Sequence, residues 1–288
     1  MSILIVGGDS RLSKYLVSDL IKKKYKFIKT SRRNSNNDIY LNFENVDNFS
    51  IPNNINFAVI VGGITSYDEC DNKYDYAFKI NCVNIPKLIS RLLEKDIFII
   101  YISTNTVFKY NLLPNEKDLP SPAFPYANLK YISEQEISKL AIKQNKIDKL
   151  SILRLTKNVC ENTSPFNDWI KFIYKKQNFN AFNDLYFAPI RFNDSSKAII
   201  KIIETKSNGI FHLSGEKDLS YADFAIGFLS FLKINQELCN KIDSRDIGVK
   251  LRYNHNVTAL SMKYTTKKLN LEPIKLDKIY NYLKKFIK

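Results

Sequence analysis

Short apolar runs alternate with helical repeats along the first 156 residues of the chain. Between the runs, apolar side chains recur every three or four residues, as at Leu12, Leu16 and Leu20, which is the spacing of an amphipathic helix. The runs predict buried strands at 3–6, 25–29, 38–41, 57–61, 97–102 and 150–155. This alternation predicts an α/β fold with a doubly wound parallel sheet, which binds ligands at the carboxyl ends of its strands.

The alternation becomes irregular after residue 156. Helices are predicted over 165–176, 194–204, 221–232 and from 276 onwards, with one short strand at 210–213. We therefore expect two units. The first is residues 1–156, to which the chain returns around 183–205, and the second is a smaller C-terminal α/β lobe of residues 157–182 and 206–288.

The composition is typical of a soluble globular protein of about two domains, since 44% of the 288 residues are hydrophobic and 25% are charged. No apolar run reaches the ~18 residues of a membrane span, and the opening residues lack a basic leader. The four cysteines are widely spaced, which predicts reduced thiols and no zinc site. We expect a cytoplasmic protein with no membrane insertion and no bound metal.

The net charge of +15 raises the question of a nucleic-acid partner. Lysines outnumber arginines by 36 to 8 and are spread through the chain. Proteins that bind bases and phosphates favour the forked guanidinium of arginine. We therefore interpret the lysines as a solvated surface and expect no nucleic-acid partner, while attraction of another polyanion, such as a phosphorylated substrate, stays open.

Four of the eight glycines form two pairs that directly follow buried strands, Gly7-Gly8 and Gly62-Gly63. Glycine lets the backbone turn tightly and approach a ligand closely. Two such turns at neighbouring strand ends predict the dinucleotide crevice of a Rossmann-type domain, although glycine turns without a ligand are the alternative.

The first of these turns reads GGDSRLS over residues 7–13. A dinucleotide fingerprint of this spacing has glycine at the positions of Ser10 and Ser13, so the motif by itself is weak. A serine hydroxyl can bond a phosphate at a helix N-terminus, which keeps Ser10 among the candidate residues.

Arg32 and Arg33 follow the second predicted strand, where no acidic residue is found. An acid at this position suits a free ribose 2′-hydroxyl, whereas arginine suits a 2′-phosphate. The sequence therefore favours NADP(H) over NAD(H), with a solvated loop as the alternative.

Tyr126 and Lys130 lie four residues apart, which places a phenol and an ammonium on one helix face. A nearby cation stabilises a phenolate and suits a tyrosine to proton transfer. Chance predicts about two such pairs in this composition and the chain holds four. The pair at Tyr126 differs from the others because it follows a buried strand that ends in hydroxyls, at Ser103 and Thr104.

The segments around this pair resemble the extended short-chain dehydrogenase/reductases, and most closely their dTDP-4-dehydrorhamnose reductase branch. Residues 102–108 (ISTNTVF) are similar to the strand end S-T-D-x-V-F of that branch, and residues 122–135 to its P-x-N-x-Y-G-x-x-K-x-x-G-E helix. Residues 154–156, 183–189 and 208–213 resemble its R-T-S, N-D-Q-x-G-x-P and G-x-Y-H-L segments, in the same order.

The resemblance implies a role for each matching residue. Tyr126 would donate a proton, Lys130 would bind the nicotinamide ribose, and Thr104 would bond the keto oxygen of the substrate. The cofactor would be held by the residues of both glycine turns and their neighbours: Gly7, Ser10, Arg11, Leu12, Arg32, Arg33, Asn42, Phe43, Gly62, Gly63, Ile64 and Asn81. The substrate would be bound by Asn105, Asn183 and Phe187.

The implied activity is the NADPH-dependent reduction of a nucleotide-linked 4-keto deoxysugar, in the biosynthesis of surface polysaccharide or deoxysugars. A homodimer is among the expected assemblies. Sister dehydratases carry an Asp-Glu pair after the threonine, where this chain has Asn105-Thr106. The serine-substituted turn leaves one alternative, an inactive relative that serves as a nucleotide-binding or regulatory subunit.

Overall fold

Alternating strands and helices make up the computed structural model, which describes residues 1–33, 38–109, 113–249 and 258–287. The strands are β1 (Ser2–Val6), β2 (Lys26–Ser31), β3 (Ile39–Tyr40), β4 (Phe57–Ile60), β5 (Phe98–Thr104), β6 (Leu150–Leu155), β7 (Lys157–Val159), β8 (Phe179–Phe182), β9 (Tyr186–Phe187), β10 (Pro189–Arg191), β11 (Gly209–Leu213), β12 (Leu219–Ser220) and β13 (Cys239–Ile242). The helices are α1 (Arg11–Lys22), α2 (Tyr67–Asn72), α3 (Tyr74–Phe78), α4 (Ile85–Glu94), α5 (Pro125–Lys143), α6 (Phe166–Tyr174), α7 (Phe192–Thr205), α8 (Tyr221–Leu232), α9 (Lys263–Leu269) and α10 (Leu276–Lys284).

The central sheet has seven parallel strands in the order β11-β6-β5-β4-β1-β2-β3. Helices α1 and α7 pack on one face, and α4 and α5 on the other. Strands covered on both faces are apolar along their whole length, and this explains the continuous runs of the sequence. The prediction of a Rossmann-type doubly wound parallel sheet is confirmed.

One predicted strand lies in a different place from the one expected. The segment predicted at 210–213 forms β11, which pairs in register with β6 and extends the central sheet, although the sequence assigned it to the smaller lobe. Its buried residues make it a sheet strand covered by α9. Helix α7 packs against α1, in line with a return of the chain to the sheet. The division into two units stays a prediction.

A π-helical stretch, Lys79–Asn84, connects α3 to α4. The backbone is helical on both sides of it, so Asn81 lies inside a longer helical segment. A π-turn inserts one extra residue into a helix and thereby redirects a side chain, and such turns are common at functional sites. Here it turns Asn81 toward the second glycine turn.

A buried ion pair links α5 to β6 of the central sheet. Arg154 of β6 donates to the Glu134 carboxylate through Nη2 at 2.6 Å and through Nε at 3.1 Å. Both side chains are almost completely buried, at 2% and 4% exposure. Helix α5 is thereby held against β6, next to the strand end that carries Thr104.

Glu134→Ala is expected to lower the free energy of unfolding by about 3–5 kcal/mol, because it leaves the buried Arg154 guanidinium without its counter-charge. Urea unfolding followed by circular dichroism measures this difference. Glu136→Ala on the same helix removes an exposed ion pair with Lys139 and should cost at most about 1 kcal/mol. Equal losses in the two variants would contradict the structural importance of the buried pair.

Candidate active site

Two clefts open side by side along the carboxyl ends of the central strands, and Thr65 lines both. The first cleft, of about 380 Å³, lies over β1, β2 and β4. The second, of about 630 Å³, lies between the end of β5 and the segments that follow residue 154. Eight of the predicted cofactor residues line the first cleft: Gly7, Ser10, Arg32, Asn42, Phe43, Gly62, Gly63 and Ile64. Four others do not line it: Arg11, Leu12, Arg33 and Asn81.

The two glycine turns are in direct contact at the floor of the first cleft. Gly7 has a φ of +92°, and a Cβ on it would lie 2.5 Å from the Gly62 nitrogen. A Cβ on Gly62 would lie 2.5 Å from the Phe43 ring. At Gly7 only glycine fits without moving the backbone, and at Gly62 a larger residue would displace the Phe43 ring.

The serines that replace two fingerprint glycines fasten the first turn to α1. Ser10 caps the helix, because its Oγ accepts from the Ser13 backbone N–H at 3.0 Å. The Ser13 Oγ donates to the Gly7 carbonyl at 2.9 Å and lies 2.8 Å from Ser10 Oγ. Hydrogen bonds therefore hold the substituted turn in place. A helix cap of this kind contributes about 1 kcal/mol to the stability of a protein.

Asn81 holds the second glycine turn from the side. Its Oδ1 accepts from the Ile64 N–H at 2.9 Å, and its Nδ2 donates to the Ile64 carbonyl at 2.8 Å. Gly63 packs so closely that a Cβ there would lie 2.8 Å from Asn81 Oδ1. Asn81 thus shapes the wall of the first cleft through the backbone of residues 63 and 64.

Asp9 is a cleft residue that the sequence reasoning missed. It lines the first cleft together with Arg32, and its carboxylate accepts from Ser31 Oγ at 2.7 Å. Ser31 Oγ also accepts from the Arg33 N–H at 2.9 Å. No acid follows β2 in the sequence, but the fold supplies one from the turn after β1. That β1 and β2 are adjacent parallel strands was the available signal.

The predicted catalytic residues Thr104 and Tyr126 meet in the second cleft. Thr104 ends β5, and Tyr126 lies in the first turn of α5. Burial is the main cause that raises the pKa of Tyr126, with Tyr67 adding to it, while a hydrogen bond with the Thr104 side chain opposes the rise. The Tyr126 phenol therefore stays protonated at neutral pH, as a proton donor must.

Lys130 lies one helical turn after Tyr126 and is buried. Its Nζ donates to the Tyr101 hydroxyl and to the Ile102 carbonyl, both at 2.7 Å. Burial lowers the pKa of Lys130 to about 8, although the Glu134 carboxylate acts in the opposite direction. Lys130 is therefore mostly charged at pH 7, but burial has removed much of the hydration that stabilises its ammonium form.

The predicted substrate residues are only partly brought together. Asn105 and Phe187 line the second cleft, and Asn105 Nδ2 donates to the Thr258 carbonyl at 2.8 Å. Phe187 is 3% exposed and stacks on Tyr221 with ring centroids 4.3 Å apart. It is therefore part of the hydrophobic core as well as of the cleft wall. Asn183 lies outside the lining, and its backbone N–H bonds to the Ile242 carbonyl at 2.9 Å.

Lys157 adds a cation that the sequence reasoning did not single out. It lines the second cleft, and burial together with the nearby Arg11 guanidinium lowers its pKa. Within the described ranges, neither Lys157 nor Arg11 forms an ion pair with a carboxylate. Two cations that repel each other beside a cleft stabilise a bound anion.

The chain matches the protein family described as the RmlD substrate binding domain over residues 1–284. It belongs to this family. A comparison with curated proteins finds no match.

Solved structures agree with the family in fold. A dTDP-4-dehydrorhamnose reductase from Clostridium acetobutylicum superimposes with a TM-score of 0.83 at 20% identity, over 100% of both chains. The Yersinia enterocolitica reductase gives 0.81 at 18% identity, over 99% of both chains. The Bacillus anthracis reductase, in complex with NADP, gives 0.79 at 18% identity, over 99% of this chain and 98% of that one. Similarity at these identities establishes the fold.

Two further properties concern the described residues. None of the helices in these ranges combines the length and the apolar character needed to cross a membrane. The same ranges contain no group of three or more histidine, cysteine or acidic side chains suited to a metal ion.

Proposed function

We propose that this protein reduces the 4-keto group of a nucleotide-linked deoxysugar with a nicotinamide cofactor, as a dTDP-4-dehydrorhamnose reductase does. The observation that carries the proposal is the meeting of Thr104 and Tyr126 in the second cleft, with the buried Lys130 one helical turn after Tyr126 on α5. Membership of the family supports it.

The first cleft fits a dinucleotide. At its floor Gly7 contacts Gly62, and a side chain on either residue would clash with its neighbours. Because neither residue has a side chain, a ligand can approach the backbone closely there. The N-terminus of α1 adjoins this floor and favours a phosphate. Phe43 and Asn42 line the same cleft. The bound cofactor supplies the hydride.

The residues of the second cleft supply the proton. Tyr126 donates its phenolic proton to the carbonyl oxygen as hydride reaches the carbon, and the Thr104 hydroxyl bonds that oxygen and orients it. The Lys130 ammonium stabilises the phenolate that results, since an opposite charge close to a phenol favours its ionised form. The cations Lys157 and Arg11 suit the diphosphate of a nucleotide sugar.

The alternative of an inactive relative rested on the serine-substituted turn. In the structure, Ser10 and Ser13 fasten that turn instead of disrupting it. The geometry therefore favours the catalytic reading. A homodimer, a cytoplasmic location and a role in polysaccharide or deoxysugar biosynthesis stay predictions.

Tyr126→Phe is expected to lower kcat for reduction of dTDP-4-dehydrorhamnose by about 10²–10⁴-fold, because the variant keeps the ring and loses the proton. Binding of the cofactor, measured by fluorescence titration, should change little. The proposal fails if the variant retains the parent rate, or if the parent protein binds neither NADPH nor NADH.

We further propose that the protein prefers NADP(H) over NAD(H), with Arg32 binding the 2′-phosphate and Asp9 opposing it. Arg32→Ala should weaken NADPH binding by about 10–100-fold, the range of a hydrogen bond to a charged group, and leave NADH binding within a few-fold. Asp9→Asn removes a negative charge and should strengthen NADPH relative to NADH.

Paired titrations of both cofactors against the parent and the two variants test this assignment. Arg32→Ala should weaken NADPH binding relative to NADH and Asp9→Asn should strengthen it, so each variant is a control for the other. Equal changes for NADPH and NADH in either variant would show that the residue does not sense the 2′-phosphate.

A further inference from the structure

The side chain closest to the Lys130 ammonium is that of Tyr101, which belongs to neither glycine turn nor to the helix that carries Tyr126. Tyr101 lies in β5 and is 1% exposed, and its hydroxyl accepts from Lys130 Nζ at 2.7 Å. The ammonium also lies 4.0 Å from the centroid of the Tyr101 ring. We propose that Tyr101 is a positioning residue that fixes the Lys130 ammonium and keeps it charged for proton transfer at Tyr126. This inference rests on the proposed function.

An ammonium has three N–H donors, and the protein occupies two of them with the Tyr101 hydroxyl and the Ile102 carbonyl. Two acceptors on one strand fix the position of Nζ and the direction of its third N–H. Lys130 is buried, so water does not replace an acceptor that is lost. The Tyr101 hydroxyl therefore contributes, with the Ile102 carbonyl, both to where the charge lies and to how stable it is.

Tyr101 also connects Lys130 to the wall of the first cleft. The Ser133 hydroxyl is a hydrogen-bond partner of the Tyr101 phenol, and it donates to the Asn81 carbonyl at 2.9 Å. The Asn81 amide in turn bonds both backbone groups of Ile64. These contacts relate the buried Lys130 ammonium, which lines neither cleft, to the glycine turn that lines the first.

The charge on Lys130 is set by few neighbours. From β5 it faces Tyr101, from its own helix Glu134, and from the π-helical stretch Cys82. Burial raises the pKa of the Cys82 thiol to about 12, so this group is neutral. Glu134 is already bonded to Arg154. The Tyr101 hydroxyl is therefore the neighbour whose removal changes the stability of the ammonium without changing a formal charge.

The sign of the effect follows from these contacts. A hydrogen bond accepted from the charged form raises the pKa of an amine, so its loss lowers the pKa of Lys130 below the value of about 8 that burial produces. Activity that needs the ammonium falls as the pH rises through this pKa. Tyr101→Phe should therefore move the alkaline limb of the kcat profile to lower pH, by about one unit.

The test compares the parent protein, Tyr101→Phe and a matched control. In Tyr280→Phe another buried phenol loses its bond, here to the Phe224 carbonyl at 3.2 Å, far from the catalytic helix in the second half of the chain. We expect Tyr101→Phe to lower kcat by about tenfold with the shifted limb, and Tyr280→Phe to lower only the melting temperature. Tyr101→His, whose neutral ring nitrogen is an acceptor above pH 7, should return the limb toward that of the parent.

A second measurement does not depend on turnover. The pKa of Lys130 is read by NMR of isotope-labelled lysine, with Lys130→Arg assigning the signal, in the parent, Tyr101→Phe and Tyr280→Phe. An unchanged Lys130 pKa in Tyr101→Phe overturns the inference, as does a shift that Tyr280→Phe reproduces. If the parent protein does not reduce the keto sugar while the Lys130 pKa still falls in Tyr101→Phe, the proposed function fails and the positioning of Lys130 by Tyr101 holds.

Discussion

Parallel strands that all end at one edge of a sheet are the constraint on which both clefts depend. β1, β4 and β5 are neighbours in register, so the turns after them are brought within contact although they lie far apart in the chain. The contact of Gly7 with Gly62 is so close that Gly7 admits no side chain, and a side chain on Gly62 would meet the Phe43 ring. The serine cap of α1 holds the first of these turns in place, and Asn81 holds the second.

The second constraint is burial along helix α5, which carries Tyr126, Lys130 and Glu134 at four-residue intervals. Burial stabilises the neutral form of either titratable group, so it raises the pKa of Tyr126 and lowers that of Lys130. Burial therefore keeps the Tyr126 phenol protonated but makes it a weaker acid, whereas it brings Lys130 closer to neutrality. A protein that needs a charged lysine here must supply acceptors, and Tyr101, Ile102 and Glu134 are those it supplies.

The sequence predicted the central sheet well because strands covered on both faces leave unbroken apolar runs, as at 150–155, where prediction and structure coincide. It placed β11 wrongly in the smaller lobe, since a short run after an irregular stretch carries no sign of which sheet it joins. Of the site, it predicted Thr104, Tyr126 and Lys130 by motif. It missed Asp9, Tyr101 and Lys157, whose importance comes from what lies next to them in space.

The serine turn illustrates how a departure from a motif acquires meaning only from its contacts. A glycine fingerprint keeps a turn small, and a serine adds a Cβ and a hydroxyl that must be placed. Here Ser13 is completely buried and its hydroxyl bonds the Gly7 carbonyl, while Ser10 caps α1. The Ser10 and Ser13 hydroxyls, which a glycine motif would lack, therefore form hydrogen bonds that hold the turn in one conformation. The Ser10 oxygen is already used by the Ser13 N–H, so a phosphate at this helix end would rely on the remaining backbone N–H groups more than on serine.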